Sequence, residues 1–240
     1  MNGLIGVLGG MGPLATADFV KKVIEQTPAS CDQEHVPLLV YSVPQIPDRQ
    51  RALAGTGESP VPAMLEGLRV LKQAGAEYVA IPCNTAHCWY AELVQRSGLD
   101  ILHIADAVVE SLATTCAEHG KVGLLATQGT LQAGFFQQRL ARHGSQCLTN
   151  TDREFADSFT PGVYAVKRGQ LREGGTLLEQ AAQRLVDRGA QHLVLACTEV
   201  APALEAIASP LLTTAVDATR ALAAACVRRW LAYRSARAGA

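Results

Sequence analysis

The sequence predicts an α/β fold of two similar, pseudo-symmetric α/β domains with mainly parallel sheets. Three observations predict it. Short apolar runs alternate with longer segments of helical period, the pattern of strand–helix units. The chain also echoes itself at an offset of 114 residues: Gly75-Ala76-Glu77-Tyr78-Val79-Ala80-Ile81-Pro82-Cys83-Asn84-Thr85 lines up with Gly189-Ala190-Gln191-His192-Leu193-Val194-Leu195-Ala196-Cys197-Thr198-Glu199. Finally, 240 residues at 48% hydrophobic and 18% charged suit one large or two small globular domains with a sizeable core.

The elements follow in order. Leu4-Ile5-Gly6-Val7-Leu8 reads as a strand, 4–8. Gly9-Gly10-Met11-Gly12-Pro13 turns the chain tightly into a helix, 14–27, with Pro13 suited to its first turn. A strand at 37–43 precedes a helix at 61–74, whose Met64, Leu68 and Leu71 share a face. A strand at 78–82, a helix at 86–96 and a strand at 101–104 complete the first half, and a helix at 106–118, capped by Asp106, leads into the second.

The first strand of the second half is 122–126, where Gly123-Leu124-Leu125 echoes Gly6-Val7-Leu8. Helices at 131–143, entered at Thr130, and at 174–188 follow. In the second of these, Leu178, Ala182 and Leu185 keep the frame of Met64, Leu68 and Leu71. A strand at 192–196, a helix at 200–207 and a helix at 217–233 end the chain. Ala215-Val216-Asp217-Ala218 there echoes Ile104-Ala105-Asp106-Ala107. The expected domains are 1–104 plus 215–240, with the last helix packing back on the first half, and 105–214. The active site is expected in the cleft between them.

A formal net charge of −1 gives no reason to expect nucleic acid or an anionic membrane surface as partner. The longest apolar stretch, 36–43, is too short to span a bilayer. The N-terminus begins directly with a strand-like run, without a basic leader or small-residue cleavage site, so a cytoplasmic location is expected. Seven cysteines, an odd number in a chain of this size, read as reduced thiols.

Five of them, Cys31, Cys88, Cys116, Cys147 and Cys226, read as small core hydrophobes. Cys83 and Cys197 differ. Each follows an apolar strand and precedes a helix, at the position where open α/β sheets bind ligands. A helix N-terminus lowers a thiol's pKa, and an unperturbed thiol at about 8.5 needs only modest help to ionise near neutrality. Each is followed by polar residues, Asn84-Thr85 and Thr198-Glu199, able to hold a carboxylate. Two equivalent thiols related by a pseudo-two-fold axis suit the inversion of a carbon. One removes its proton from one face, and the other returns a proton to the opposite face.

The segments Gly9-Gly10-Met11-Gly12-Pro13, Pro82-Cys83-Asn84-Thr85 and Cys197-Thr198-Glu199, with Pro47-Asp48-Arg49 and Tyr164-Ala165-Val166-Lys167, occur in this order over residues 4 to 217. Together they resemble the aspartate racemase branch of the aspartate/glutamate racemase superfamily. The resemblance implies two α/β domains, racemisation of an acidic amino acid (aspartate, or glutamate) without pyridoxal phosphate, metal or any other cofactor, and a homodimer. It implies Cys83 and Cys197 as the catalytic bases. It also implies a substrate-binding set of Met11, Arg49, Asn84, Thr85, Thr127, Lys167, Thr198 and Glu199, with Arg49 and Lys167 as partners of the substrate carboxylates. Two departures from the glutamate pattern, Gly10-Met11-Gly12 and Glu199, favour the aspartate branch. Gln50 stands where many aspartate racemases carry a small hydroxyl residue, which bears on side-chain specificity.

Other readings stay open on residues alone. Gly10-x-Gly12-x-x-Ala15 fits a relaxed dinucleotide fingerprint, but the next strand ends Ser42-Val43-Pro44 without the acidic residue that motif needs. Arg49 and Lys167 have the alternative of being solvated charges, and Lys167 that of a pyridoxal phosphate Schiff base. Thr127 and Thr130, facing Gly9–Gly12 in the repeat, have that of capping a helix. Cys83, His87, Cys88 and Cys197 could be drawn as a zinc site, but the chain lacks Cys-x-x-Cys and His-x-x-x-His spacing. Hydantoin racemase, arylmalonate decarboxylase and maleate isomerase chemistry, and non-catalytic amino-acid binding, are the alternatives to acidic amino-acid racemisation.

Overall fold

The structure, a computed structural model, describes residues 3–115 and 120–238. The chain divides into two compact units, Met1–Ala107 with Thr219–Ala240, and Val108–Ala218. The first unit runs β1 (Ile5–Gly9), α1 (Pro13–Gln26), β2 (Leu38–Ser42), α2 (Arg49–Leu53), α3 (Val61–Gln73), β3 (Tyr78–Ala80), α4 (Tyr90–Ser97) and β4 (Asp100–Ile101). α5 (Ile104–Thr115) carries the chain into the second unit. Its four strands are all parallel, in the order β2-β1-β3-β4. α3 places Val61, Met64, Leu68 and Leu71 on one buried face. They meet Leu8, Val79, Ile81, Leu93 and Ile101 in one apolar core. Full burial of Leu68 and Leu71 contributes about 2 kcal/mol each.

The second unit repeats the plan. It runs β5 (Lys121–Ala126), α6 (Gln128–Ala133), α7 (Phe135–Arg142), β6 (Gln146–Thr149), α8 (Asp152–Glu154), a π-helical turn (Phe155–Phe159), α9 (Thr160–Lys167), α10 (Leu171–Asp187), β7 (His192–Ala196), α11 (Val200–Ala206) and β8 (Ala215–Asp217). Its sheet is again all parallel, in the order β6-β5-β7-β8. The strand order therefore matches that of the first sheet element for element. Leu178, Ala181, Ala182 and Leu185 of α10 pack with Leu193, Leu195 and Val200 in this unit's core. α12 (Ala218–Ala238) ends the chain. It lies against the first unit's strands, with Arg229 paired to Asp100 at 2.7 Å and stacked over the Tyr78 ring.

The repeat extends to the interior. A Cβ on Gly6 would lie 3.0 Å from the Ala76 Cβ and 3.2 Å from Leu71. A Cβ on Gly123, its counterpart, would meet Leu185 at 3.0 Å and Ala190 at 3.2 Å. In both sheets a helix leucine and a loop alanine press so closely on the first strand that a side chain there would have to push its neighbours aside.

Several elements depart from the sequence expectation. β6 and β8 were not among the expected strands. β6 is an edge strand, half-exposed along its length, so it lacks the buried alternation that marks a strand. β8 has only three residues. The expected helix 131–143 is two, α6 and α7, broken by Gly134 at φ 72°. The expected helix 86–96 begins as a 3₁₀ turn, Thr85–Trp89. The expected strand 101–104 stops at Ile101, because His103 Nδ1 accepts the Ala105 N–H and starts α5 early. Residues 116–118 of the expected helix 106–118 lie outside the described residues, as does Cys116. Cys226 is buried and Cys88 and Cys147 are half-buried, but Cys31 is exposed rather than in a core. Among the described residues no helix is long and apolar enough to cross a membrane.

Candidate active site

In the first unit the candidate residues collect at the carboxyl ends of β1, β2 and β3. The glycine turn after β1 closes on itself: Thr16 Oγ1 accepts the Gly10 N–H at 2.8 Å and donates to the Gly12 carbonyl at 3.0 Å. Gly10 has φ 94°, and a Cβ there would meet the Val43 backbone at 2.4 Å, so the turn tolerates no side chain. Pro13 takes the first helical position of α1, as expected for a residue with φ preset and no N–H. Met11 is buried in the unit's apolar core.

Cys83 lies three residues past β3, in a tight turn where its N–H donates to the Ile81 carbonyl at 2.7 Å. It is 6% exposed. Behind it stands His87. The Nδ1 of His87 lies 3.0 Å from the Cys83 carbonyl, and its Nε2 accepts the Ile104 N–H at 3.3 Å. The Nε2 also lies 3.5 Å from the Leu102 carbonyl, so the ring bridges backbone groups on both sides. His87 thereby ties the turn of Cys83 to the start of α5, within an aromatic cluster with Tyr90 and His103.

Asn84 is 3% exposed, and neither its amide oxygen nor its amide nitrogen has a hydrogen-bond partner. Leaving such a group buried and unpaired costs about 1–3 kcal/mol, and here both polar atoms of one side chain are in that condition. Thr85 accepts a hydrogen bond from the Gln50 amide at 3.1 Å. Arg49 opens α2 just after Asp48, whose carboxylate caps the helix by accepting from the Arg51 N–H. One arm of the Arg49 guanidinium donates to the Ile46 and Pro47 carbonyls, and its Nε is buried without a partner. The guanidinium is thus fixed by its own loop.

The second unit carries the equivalent set. Cys197 follows β7 directly and is 5% exposed. Its thiol donates to Glu199 Oε2 at 3.1 Å, and the Thr198 hydroxyl donates to the same oxygen at 3.1 Å. Burial pushes the Cys197 thiol well above the usual range, and the Glu199 carboxylate raises it further. The Glu199 backbone N–H and the Lys167 ammonium act in the opposite sense. Lys167 is the last residue of α9, exposed, with its ammonium over the Tyr164 ring. The sequence gives no helical signal there, because α9 continues from a π-turn that shifts its periodicity. Thr127 follows β5, whose Ala126 pairs with Ala196 of β7, and so stands one strand over from Cys197. It caps α6 by accepting from the Thr130 N–H, and the two threonine hydroxyls lie 3.0 Å apart.

Burial also raises three other thiols. Cys88 is pushed up to about 12, by desolvation and then by its neighbour Cys83, and Cys147 and Cys226 to about 11 and about 12 by desolvation. Among the described residues no group of three or more His, Cys, Asp or Glu side chains is placed to hold a metal ion. Gln50 and Glu199 were both named from sequence, but not the bond of the Gln50 amide to Thr85 or that of the Cys197 thiol to the Glu199 carboxylate. Only contacts within the folded turn reveal them.

Against known proteins, the sequence profile described as Asp/Glu/Hydantoin racemase matches residues 8–226. The broad specificity amino-acid racemase RacX of Bacillus subtilis is 27% identical over 236 residues, covering 97% of this chain and 100% of that one. The structure of an aspartate racemase from Picrophilus torridus superposes with a TM-score of 0.81 at 29% identity, covering 95% of this chain and 94% of that one. An aspartate racemase homologue from Pyrococcus horikoshii has the same fold at 21% identity, with a TM-score of 0.72 over 96% of this chain and 99% of that one.

Proposed function

The chain belongs to the Asp/Glu/Hydantoin racemase family and is an amino-acid racemase, and from that premise we propose that it inverts the α-carbon of an acidic amino acid, aspartate first, with Cys83 and Cys197 as its acid–base pair. One observation carries the proposal. The two sheets have the same strand order, and in each a buried cysteine followed by polar residues comes after the equivalent strand, β3 or β7.

The thiolate of one cysteine takes the α-proton and becomes a thiol. The electron pair left on the carbon spreads into the substrate's α-carboxylate. The other thiol then gives its proton to the opposite face and becomes the thiolate, so the proton balance closes without a cofactor. A carbanion beside a carboxylate is costly, and positive charge and N–H donors near that carboxylate lower the barrier. Arg49 and Lys167 supply the charge. Asn84, Thr85, Thr127 and Thr198 supply neutral polar contacts, and Met11 supplies an apolar wall. Glu199 completes the set through its bonds to Cys197 and Thr198. Two cations suit a dicarboxylate, which supports aspartate or glutamate. The assembly is proposed as a homodimer.

A second reading concerns range. The Bacillus subtilis relative is named for broad specificity, and Gln50 replaces the small hydroxyl residue expected beside Arg49. A longer neutral amide held on Thr85 supports a site that accepts side chains beyond aspartate.

The test is a pair of substitutions. C83A and C197A are each expected to abolish racemisation while leaving the fold intact by circular dichroism. Each is expected to retain α-proton exchange with solvent from one enantiomer only. Full racemisation by either variant contradicts the two-cysteine scheme.

A further inference from the structure

The two half-sites repeat in sequence, but they differ at one position of chemical consequence. Two residues after the cysteine, the first half carries Thr85 and the second carries Glu199. The first is a hydroxyl held by the Gln50 amide, and neither group can accept a proton near neutrality. The second is a carboxylate whose Oε2 lies 3.1 Å from the Cys197 sulfur and accepts its S–H.

We propose that Glu199 is a positioning residue that keeps the resting proton on Cys197, leaving Cys83 as the base and Cys197 as the acid when the first substrate binds. This rests on the two-cysteine reading and deepens it by assigning the roles. The geometry supports it in three ways. A carboxylate bonded to a thiol favours the protonated thiol, because the thiolate would place two negative charges about 3 Å apart. The Thr198 hydroxyl donates to the same Oε2, which fixes the carboxylate against the sulfur rather than letting it swing to solvent. Burial of Cys197 at 5% exposure leaves little water to soften the repulsion.

The opposing groups make the state reversible. The charged groups that act on Cys197 are Glu199, from its own turn, and Lys167, from α9. During turnover Cys197 gives its S–H proton to the carbanion and becomes a thiolate. The Glu199 backbone N–H and the Lys167 ammonium then hold it until a proton returns from solvent or from the opposite enantiomer. Glu199 keeps its own charge throughout, so no proton is gained or lost overall.

The test reads each thiol directly and needs no turnover. The intact protein is treated with iodoacetamide across a pH series, and alkylation at Cys83 and Cys197 is followed separately by peptide mass spectrometry. In the unsubstituted protein Cys197 is expected to react only well above neutral pH. In E199Q the Cys197 profile is expected to move to lower pH, with its neutral-pH rate rising about tenfold or more, one pKa unit being a tenfold change in thiolate fraction. The Cys83 profile is expected to stay in place. E199D, which keeps the charge, is expected to keep Cys197 slow, and this separates loss of the carboxylate from disturbance of the turn. A Cys197 profile unmoved in E199Q, or one that already reacts at neutral pH in the unsubstituted protein, would overturn the assignment. Racemisation lost in C83A and C197A alongside such a result would leave the two-cysteine reading standing and remove only the role of Glu199.

Discussion

At the scale of single residues, the informative side chains are those whose polar atoms are buried without a use in the fold. Asn84 has both amide atoms in that condition, and the Arg49 Nε shares it. A group of this kind weakens the fold, so its removal separates stability from function. N84A is expected to leave the melting temperature unchanged or higher, and to raise the aspartate KM about tenfold or more, the equivalent of losing one substrate hydrogen bond of about 1–3 kcal/mol. Thermal melts and steady-state kinetics on the same preparation check it. A fall in stability with an unchanged KM would make Asn84 a packing residue. The equivalent, buried placement of Cys83 and Cys197 after β3 and β7 was legible in the sequence because the repeat marks both. The Glu199 bond to Cys197 was not, since a thiol–carboxylate contact two residues apart depends on the φ and ψ of the turn between them.

At the scale of elements, the central strands of both sheets and the edges of the first, β2 and β4, were legible, and the edges of the second, β6 and β8, were not. β1, β3, β5 and β7 are buried apolar runs, which period and composition reveal. β6 is half-exposed and β8 is three residues long, and neither carries enough apolar residues to stand out. α2 and α9, which carry Arg49 and Lys167, were also missed. The first has five residues, and the second inherits a shifted register from the π-turn before it. The connection between Cys83 and α5 runs through His87, and it yields a prediction. In H87L the Cys83 carbonyl and the Ile104 N–H both lose a buried partner. Unfolding free energy in urea is expected to fall by about 2–5 kcal/mol. A change within about 0.5 kcal/mol, the range of ordinary surface substitutions, would show that His87 carries no such tie.

At the scale of the whole molecule, two units share one strand order, and each carries a buried cysteine after the equivalent strand, the pair on which the proposed two-base racemisation draws. The fold class and the repeat were readable from alternation and from the offset of 114 residues. Assembly is a property that neither alternation nor repeat reports. Light scattering on the purified protein is expected to give the mass of a homodimer, and a monomer at working concentration would remove that part of the proposal. The measurement that bears most directly on the central claim is incubation of the purified protein with L-aspartate in deuterated water, with no cofactor added, followed by proton NMR and chiral chromatography. The account predicts loss of the α-proton signal to deuterium together with appearance of D-aspartate. Retention of the α-proton, with aspartate and with glutamate alike, would contradict it.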